Sequence, residues 1–142
     1  MGDYPQLKLK NQLCFPLYAA ARQITSAYTP YLKPLGLTYT QYLVMMVLWE
    51  EDGLSVGDIC GRLRLDSGTI TPLIKKLAAE GLAEKRHCED DERVVKVFLT
   101  DKGKVLEERA KDVPLEMAGC VKLDPADAGE LYRLLYKLLG EG

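Results

Sequence analysis

Cys14 and Pro16 stand at the head of a segment with helical periodicity. Proline is tolerated in the first turn of a helix, where its missing N–H leaves nothing unpaired. Free N–H groups and the positive end of the helix dipole at that point favour a thiolate. A thiolate attacks the O–O bond of a peroxide and becomes a sulfenic acid, and a phenolic O–H donated to the sulfur favours the anion further. The other ordinary use of such a cysteine is as a small buried hydrophobe, and the residues by themselves leave both open. Cys60, Cys88 and Cys120 lie far from Cys14 and from one another, no C-x-x-C pair exists, and the one histidine is His87. That spacing predicts no metal site and, in a reducing compartment, four free thiols.

A second group of residues could read nucleic acid. Ser67, Gly68, Thr69, Thr71, Pro72, Lys75 and Lys76 fall on one side of a helix whose other side is the apolar stripe Ile70, Leu73, Ile74 and Leu77. Hydroxyls bond phosphates or base edges, lysines neutralise phosphates, and a glycine lets the DNA backbone come close. Beyond Gly81, residues 82–87 and 93–99 alternate as two strands around a charged turn, Cys88 to Glu92. Arg93 stands at the base of this ribbon with Asp91 placed to orient its guanidinium, as suits insertion into a narrow minor groove. Lys85 and Arg86 read as phosphate contacts, and His87 and Cys88 as an exposed tip without a role. An amphipathic helix with a solvated outer face accounts for the helix alone; a helix followed at once by the ribbon is the layout of a winged helix-turn-helix.

The elements that position these groups follow from periodicity and caps. Residues 7–32 read as one helix with Leu13, Leu17, Ala20, Ala21, Ile24 and Tyr28 on its apolar side. Thr38 and Gln41 form a capping box for a second helix burying Leu43, Met46 and Val47, ended by Asp52-Gly53. Ser55-x-x-Asp58 starts a short third helix, and Thr100 caps a long one running toward Met117. Asp124-Pro125-Ala126-Asp127 starts the last helix, whose apolar side is Leu131, Leu134, Leu135, Leu138 and Leu139. The predicted fold is mainly α with a small β-ribbon in a single domain over 1–142. A winged helix-turn-helix occupies 38–100, and leucine-rich helices at 1–32 and 101–142 are expected to dimerise, because a monomer cannot cover them.

The stretch Leu65 to Leu77, with Asp91-Glu92-Arg93 and Leu99-Thr100-Asp101-Lys102-Gly103, resembles the MarR family of bacterial transcription regulators. Asn11 to Tyr18 together with Leu37 to Tyr42 resembles, within that family, the organic hydroperoxide resistance regulators and their thiol-sensing relatives. The resemblance runs from about Leu7 to Leu106. It implies a homodimer that holds a double-stranded palindromic operator as a repressor and releases it when an organic hydroperoxide oxidises Cys14. It nominates Tyr28 and Tyr39 of the other subunit as donors to the sulfur. It also implies that Cys120 occupies the place where one branch of these regulators keeps a resolving cysteine, which would form an intersubunit disulfide. Phe15, Leu17 and Met46 are expected to line the hydroperoxide pocket, and Cys60 is read as structural.

Bulk properties set looser bounds. The net charge of −2 does not advertise nucleic acid, but residues 62–96 carry eight basic against seven acidic side chains, so that segment is +1 and the remainder −3. No apolar run is long enough to span a bilayer, and the first residues lack the basic-then-apolar order of a secretion signal, so a cytoplasmic protein without cofactor or membrane partner is expected. A regulator released by a small phenolic or drug-like ligand is a rival reading, as is an architectural DNA-binding protein without operator preference. A thiol peroxidase is a third, from a different class. It is disfavoured because no T-x-x-C precedes Cys14 and no C-x-x-C supplies turnover, so an enzyme is not expected.

Overall fold

A computed structural model describes residues 1–141. Two short 3-10 turns, Pro5–Leu7 and Leu9–Asn11, lead into α1 (Cys14–Ala27) and α2 (Thr29–Leu32). After a 3-10 turn at Lys33–Leu35 come α3 (Tyr39–Glu50), β1 (Leu54–Ser55), α4 (Val56–Leu63) and α5 (Ser67–Ala79). The chain then forms β2 (Ala83–His87), β3 (Val95–Leu99), α6 (Asp101–Ala110), α7 (Val113–Ala118) and α8 (Pro125–Leu138). This is the expected mainly helical winged helix-turn-helix.

The expected caps at Thr38, Ser55, Thr100 and Asp124 form, and Asp66 adds one for α5 that was not singled out. Thr38 and Gln41 exchange both bonds of the capping box, and Ser55, Asp66, Thr100 and Asp124 each accept the N–H three residues on. Two expected helices are broken instead of continuous. The helix over 7–32 is interrupted after Ala27, and the one running toward Met117 after Ala110. Pro30 and Pro114 explain both breaks. Each falls in the first turn of the new helix, where the N–H it lacks would otherwise be needed to continue the ladder of the preceding helix.

The core is built around α3. Val44, Met45 and Leu48 are fully buried there and meet Ile59 of α4, Ile70, Ile74 and Leu77 of α5, and Val97 of β3. Of the three residues expected to be buried on α3, Val47 is buried, Leu43 is half-buried and Met46 is exposed. This helix is apolar nearly all round and is packed from several sides, so periodicity could not select a face. Trp49 donates its indole N–H to the carbonyl of Gly103 (2.9 Å), tying α3 to α6.

The sheet has three strands, not the expected two. β1 pairs antiparallel with β3 through Leu54 opposite Val97, and β3 pairs with β2 from Ala83 opposite Leu99 to His87 opposite Val95. Among the described residues, Arg64 is the one non-glycine residue with a left-handed backbone (φ 55°). It closes α4, and its guanidinium bonds the Leu139 carbonyl (3.3 Å) and the Glu141 carboxylate (2.7 Å) beyond the end of α8.

Candidate nucleic-acid interface and thiol site

Helix α5 presents its predicted face to solvent. Ser67, Gly68, Thr69, Thr71, Pro72, Lys75 and Lys76 are all exposed, while Ile70, Ile74 and Leu77 anchor the other side and Leu73 is half-buried. Asp66 starts the helix by accepting the Thr69 N–H (2.8 Å). Pro72 lies inside it and removes the N–H that would pair with the Gly68 carbonyl. A Cβ at Gly68 would meet only Asp66 Oδ1, at 3.4 Å, so packing within the chain does not demand a glycine there.

Strand register sorts the wing residues onto two faces. Lys85 lies opposite Val97 and His87 opposite Val95, on the face turned toward α5. Lys85, Thr71 and Arg93 line one open groove there, together with Ser55 and Gly57 at the start of α4. Arg86 lies opposite Lys96 on the reverse face, where it stacks over the Phe98 ring (4.4 Å to the centroid) and pairs with Glu84. The two adjacent cations expected to act alike therefore point apart. Lys76 also leaves the group, lining a separate groove with Lys33, Tyr39 and Glu80.

Arg93 is almost fully exposed and is aimed by Asp91. Its backbone N–H donates to Oδ1 (3.0 Å), its Nε to Oδ1 (3.1 Å) and its Nη2 to Oδ2 (3.3 Å). The Arg93 side chain first, and its backbone N–H second, hold the Asp91 carboxyl below the usual carboxylate range. At the tip, His87 Nδ1 lies 2.9 Å from the Glu92 carbonyl, and Cys88 is half-buried instead of exposed. Ser55 and Gly57 were not singled out from sequence, where Ser55 read only as a cap; their place beside the wing depends on the β1–β3 pairing.

Cys14 is the first residue of α1 and is exposed. Tyr28 closes the same helix, fourteen residues on, and at 1.5 Å rise per residue lies about 21 Å away. Tyr28 packs against Tyr39 with the rings tilted by 52° and their centroids 4.8 Å apart, and Tyr42 joins at 5.8 Å and 6.4 Å. Burial, with the neighbouring Tyr28 second, raises the Tyr39 phenol above its ordinary value. The structure thus brings Tyr28 and Tyr39 together and keeps Cys14 of the same chain far from both.

Met46 lines a groove of about 310 Å³ with Tyr42, Trp49, Ala110 and Pro114. Phe15 and Leu17 are not part of it; they lie exposed on α1. Cys120 follows α7 and is exposed, with the Tyr31 hydroxyl 3.3 Å from its sulfur. That hydrogen bond is the first cause raising the Tyr31 phenol, ahead of the charge of Cys120, desolvation and Glu116. Cys60 is half-buried against the core, in keeping with a structural role. Among the described residues, no cluster of three or more His, Cys, Asp or Glu side chains could hold a metal ion, and no helix is long and apolar enough to cross a membrane.

Residues 26–109 match the family model for the transcriptional regulator SarA/Rot. The organic hydroperoxide resistance transcriptional regulator of Bacillus subtilis (strain 168) is 43% identical over 138 residues, covering 97% of this chain and 94% of that protein. Among solved structures, reduced AbfR of Staphylococcus epidermidis bound to DNA superposes with a TM-score of 0.82 at 32% identity, over 95% of this chain and 92% of that one. The disulfide-formed AbfR superposes less closely, with a TM-score of 0.68 at 34% identity over 94% of each chain.

Proposed function

The chain belongs to the MarR family of transcription regulators, in its organic hydroperoxide resistance group, and from that premise we propose that it is a repressor switched by oxidation of Cys14. The reduced form is a homodimer on a palindromic operator. Helices α1 and α8 bury no residue within the protomer, and leave Leu13, Phe15, Leu17, Leu131, Leu134 and Leu138 in water. A second copy covers these faces and sets two α5 helices about one DNA turn, ~34 Å, apart. In each half, α5 enters the major groove with Thr71 and its neighbours at base edges, Lys75 and Lys85 neutralise phosphates, and Arg93 enters the minor groove.

One observation carries the sensing part. Cys14 stands exposed at a helix N-terminus about 21 Å along α1 from the Tyr28–Tyr39 pair of its own chain. Those phenols therefore serve the Cys14 of the partner. The thiolate attacks the distal oxygen of an organic hydroperoxide, an S–O bond forms, the O–O bond breaks, and the alkoxide takes a proton and leaves as the alcohol. Cys120 of the other subunit, as thiolate, then attacks the sulfenic sulfur; the S–S bond forms and hydroxide leaves as water. The disulfide pulls on α7, separates the wings beyond the spacing of two grooves and lowers affinity for the operator.

The test is peptide-level mass spectrometry on the reduced dimer after one equivalent of cumene hydroperoxide with a sulfenate trap. Trapped Cys14 or an interchain Cys14–Cys120 disulfide is expected, with operator release measured on the same sample. Cys14 that stays reduced while the peroxide persists would overturn the reading, as would release from the operator by peroxide in Cys14→Ser protein.

A further inference from the structure

The Tyr31 hydroxyl lies 3.3 Å from the sulfur of Cys120, although 89 positions separate the two in sequence. Both residues are held from the core side. Leu32, next to Tyr31, is 1% exposed, and Met117, which accepts the Cys120 backbone N–H (2.9 Å), is 3% exposed. Cys120 remains an exposed residue, and its thiol can donate to the Glu116 carbonyl at 3.8 Å. Helix α2 begins directly after Tyr28, whose ring packs against Tyr39, and carries Tyr31 in the same turn. One short helix thus joins the phenol pair assigned to Cys14 and the phenol that touches Cys120.

We propose that Tyr31 is the positioning residue for Cys120, donating its O–H to the sulfur so that a thiolate stands ready to resolve the partner's Cys14 sulfenic acid. The consequence for oxidation rests on the two-cysteine reading above; the contact itself does not. A phenol donated to a thiolate favours the anion, while also making each anion somewhat less nucleophilic. The first effect outweighs the second below full ionisation, because nucleophilicity changes with a Brønsted coefficient of only about 0.4–0.5. For any thiol, a tenfold change in thiolate content changes the rate of attack only about threefold. The resolving step uses no further oxidant: the sulfenic sulfur takes the electron pair from Cys120, and its oxygen departs as water.

The experiment compares wild-type protein with Tyr31→Phe, which keeps the ring against α7. Reduced dimers are alkylated with iodoacetamide across a pH series, and each cysteine is followed by peptide mass. Tyr31, on α2, is the titratable group in contact with this sulfur, and the Glu116 carboxylate, on α7, acts on Tyr31 through its charge. Expected is about threefold slower alkylation of Cys120 at neutral pH, with the profiles meeting or crossing at alkaline pH and Cys14 unchanged. After one equivalent of cumene hydroperoxide, Cys14 oxidises at the wild-type rate and the interchain disulfide forms about threefold more slowly. Unchanged Cys120 alkylation overturns the proposal, and so does slowing by the same factor at every pH or at Cys14 as well, which would report altered access to the thiols instead of a lost donor. Failure of Cys14 to oxidise in wild type would overturn the redox function and leave the alkylation result standing.

Discussion

Asp91 aims Arg93: it accepts two hydrogen bonds from the guanidinium, at 3.1 and 3.3 Å, and a third from the Arg93 backbone N–H at 3.0 Å. Arg93→Ala is expected to weaken operator binding about tenfold or more, on the scale of one specific arginine contact. Asp91→Ala, which keeps the cation and removes its guide, should cost less, about threefold to tenfold. Because its carboxyl is held below the ordinary value of 3.8, Asp91 contributes above that value and is lost only as pH falls through the lowered one. Titration of Asp91 thus changes nothing between about pH 5 and 8. Fluorescence anisotropy at fixed salt measures all three; an Asp91→Ala protein that binds as tightly as wild type would sink the positioning role.

Lys85 and Arg86 are neighbours in sequence and opposites in space. Lys85→Ala should lower the slope of log K against log salt by about 0.9 per half-site. Arg86→Ala should leave that slope alone. It should instead remove the stack on Phe98 and cost about 0.5–1 kcal/mol of stability. Salt titrations of operator affinity with parallel thermal melts separate the two, and equal slope changes would return Arg86 to the DNA.

Local chemistry made much of this fold legible in the sequence. The caps at Thr38, Ser55, Thr100 and Asp124 need only a side chain and an N–H three residues away, and all four form; the Asp66 cap of α5 was not singled out. The α5 stripe likewise shows in its spacing. What was hidden depends on distant partners. The β1–β3 pairing joins Leu54 to Val97, and the meeting of Tyr31 with Cys120 spans most of the chain. The buried face of α3 was hidden for a different reason, since an all-round apolar helix carries no moment to read. Pro30 and Pro114 were visible, and their effect was underestimated because flanking apolar spacing continues through both breaks.

Gly103 is a packing requirement. A Cβ there would overlap the Leu82 carbonyl oxygen and press on the Leu99 side chain, and the Gly103 carbonyl is also the acceptor for Trp49. Gly103→Ala must push α6 away from the strand, and overpacking of this kind costs about 1–3 kcal/mol. The melting temperature at fixed protein concentration should fall by about 2–4 °C per kcal/mol, with a change in the fluorescence of Trp49, the one tryptophan. A melt identical to wild type would mean the α6–β3 junction yields without cost.

Three tyrosines packed ring against ring offer an internal control for the sensing chemistry. Tyr28 and Tyr39 are half-buried, whereas Tyr42 is 3% exposed and belongs to the core. Burial raises the Tyr39 phenol, so it remains an O–H donor at every physiological pH and any pH dependence of oxidation comes from elsewhere. A hydrogen bond to a charged group contributes about 1.5–3 kcal/mol, so Tyr39→Phe should slow Cys14 oxidation at least about tenfold, with Tyr28→Phe similar. Tyr42→Phe keeps the ring packing and should leave the rate within about twofold, since by this argument it donates nothing to the sulfur. Operator affinity of the reduced proteins should be the same for all three, because none of these phenols lies among the wing or α5 groups assigned to DNA. Stopped-flow oxidation by cumene hydroperoxide decides it. If Tyr42→Phe slows the reaction as much as Tyr39→Phe, the cluster acts through packing; if Tyr28→Phe and Tyr39→Phe leave the rate unchanged, the partner's phenols do not reach Cys14.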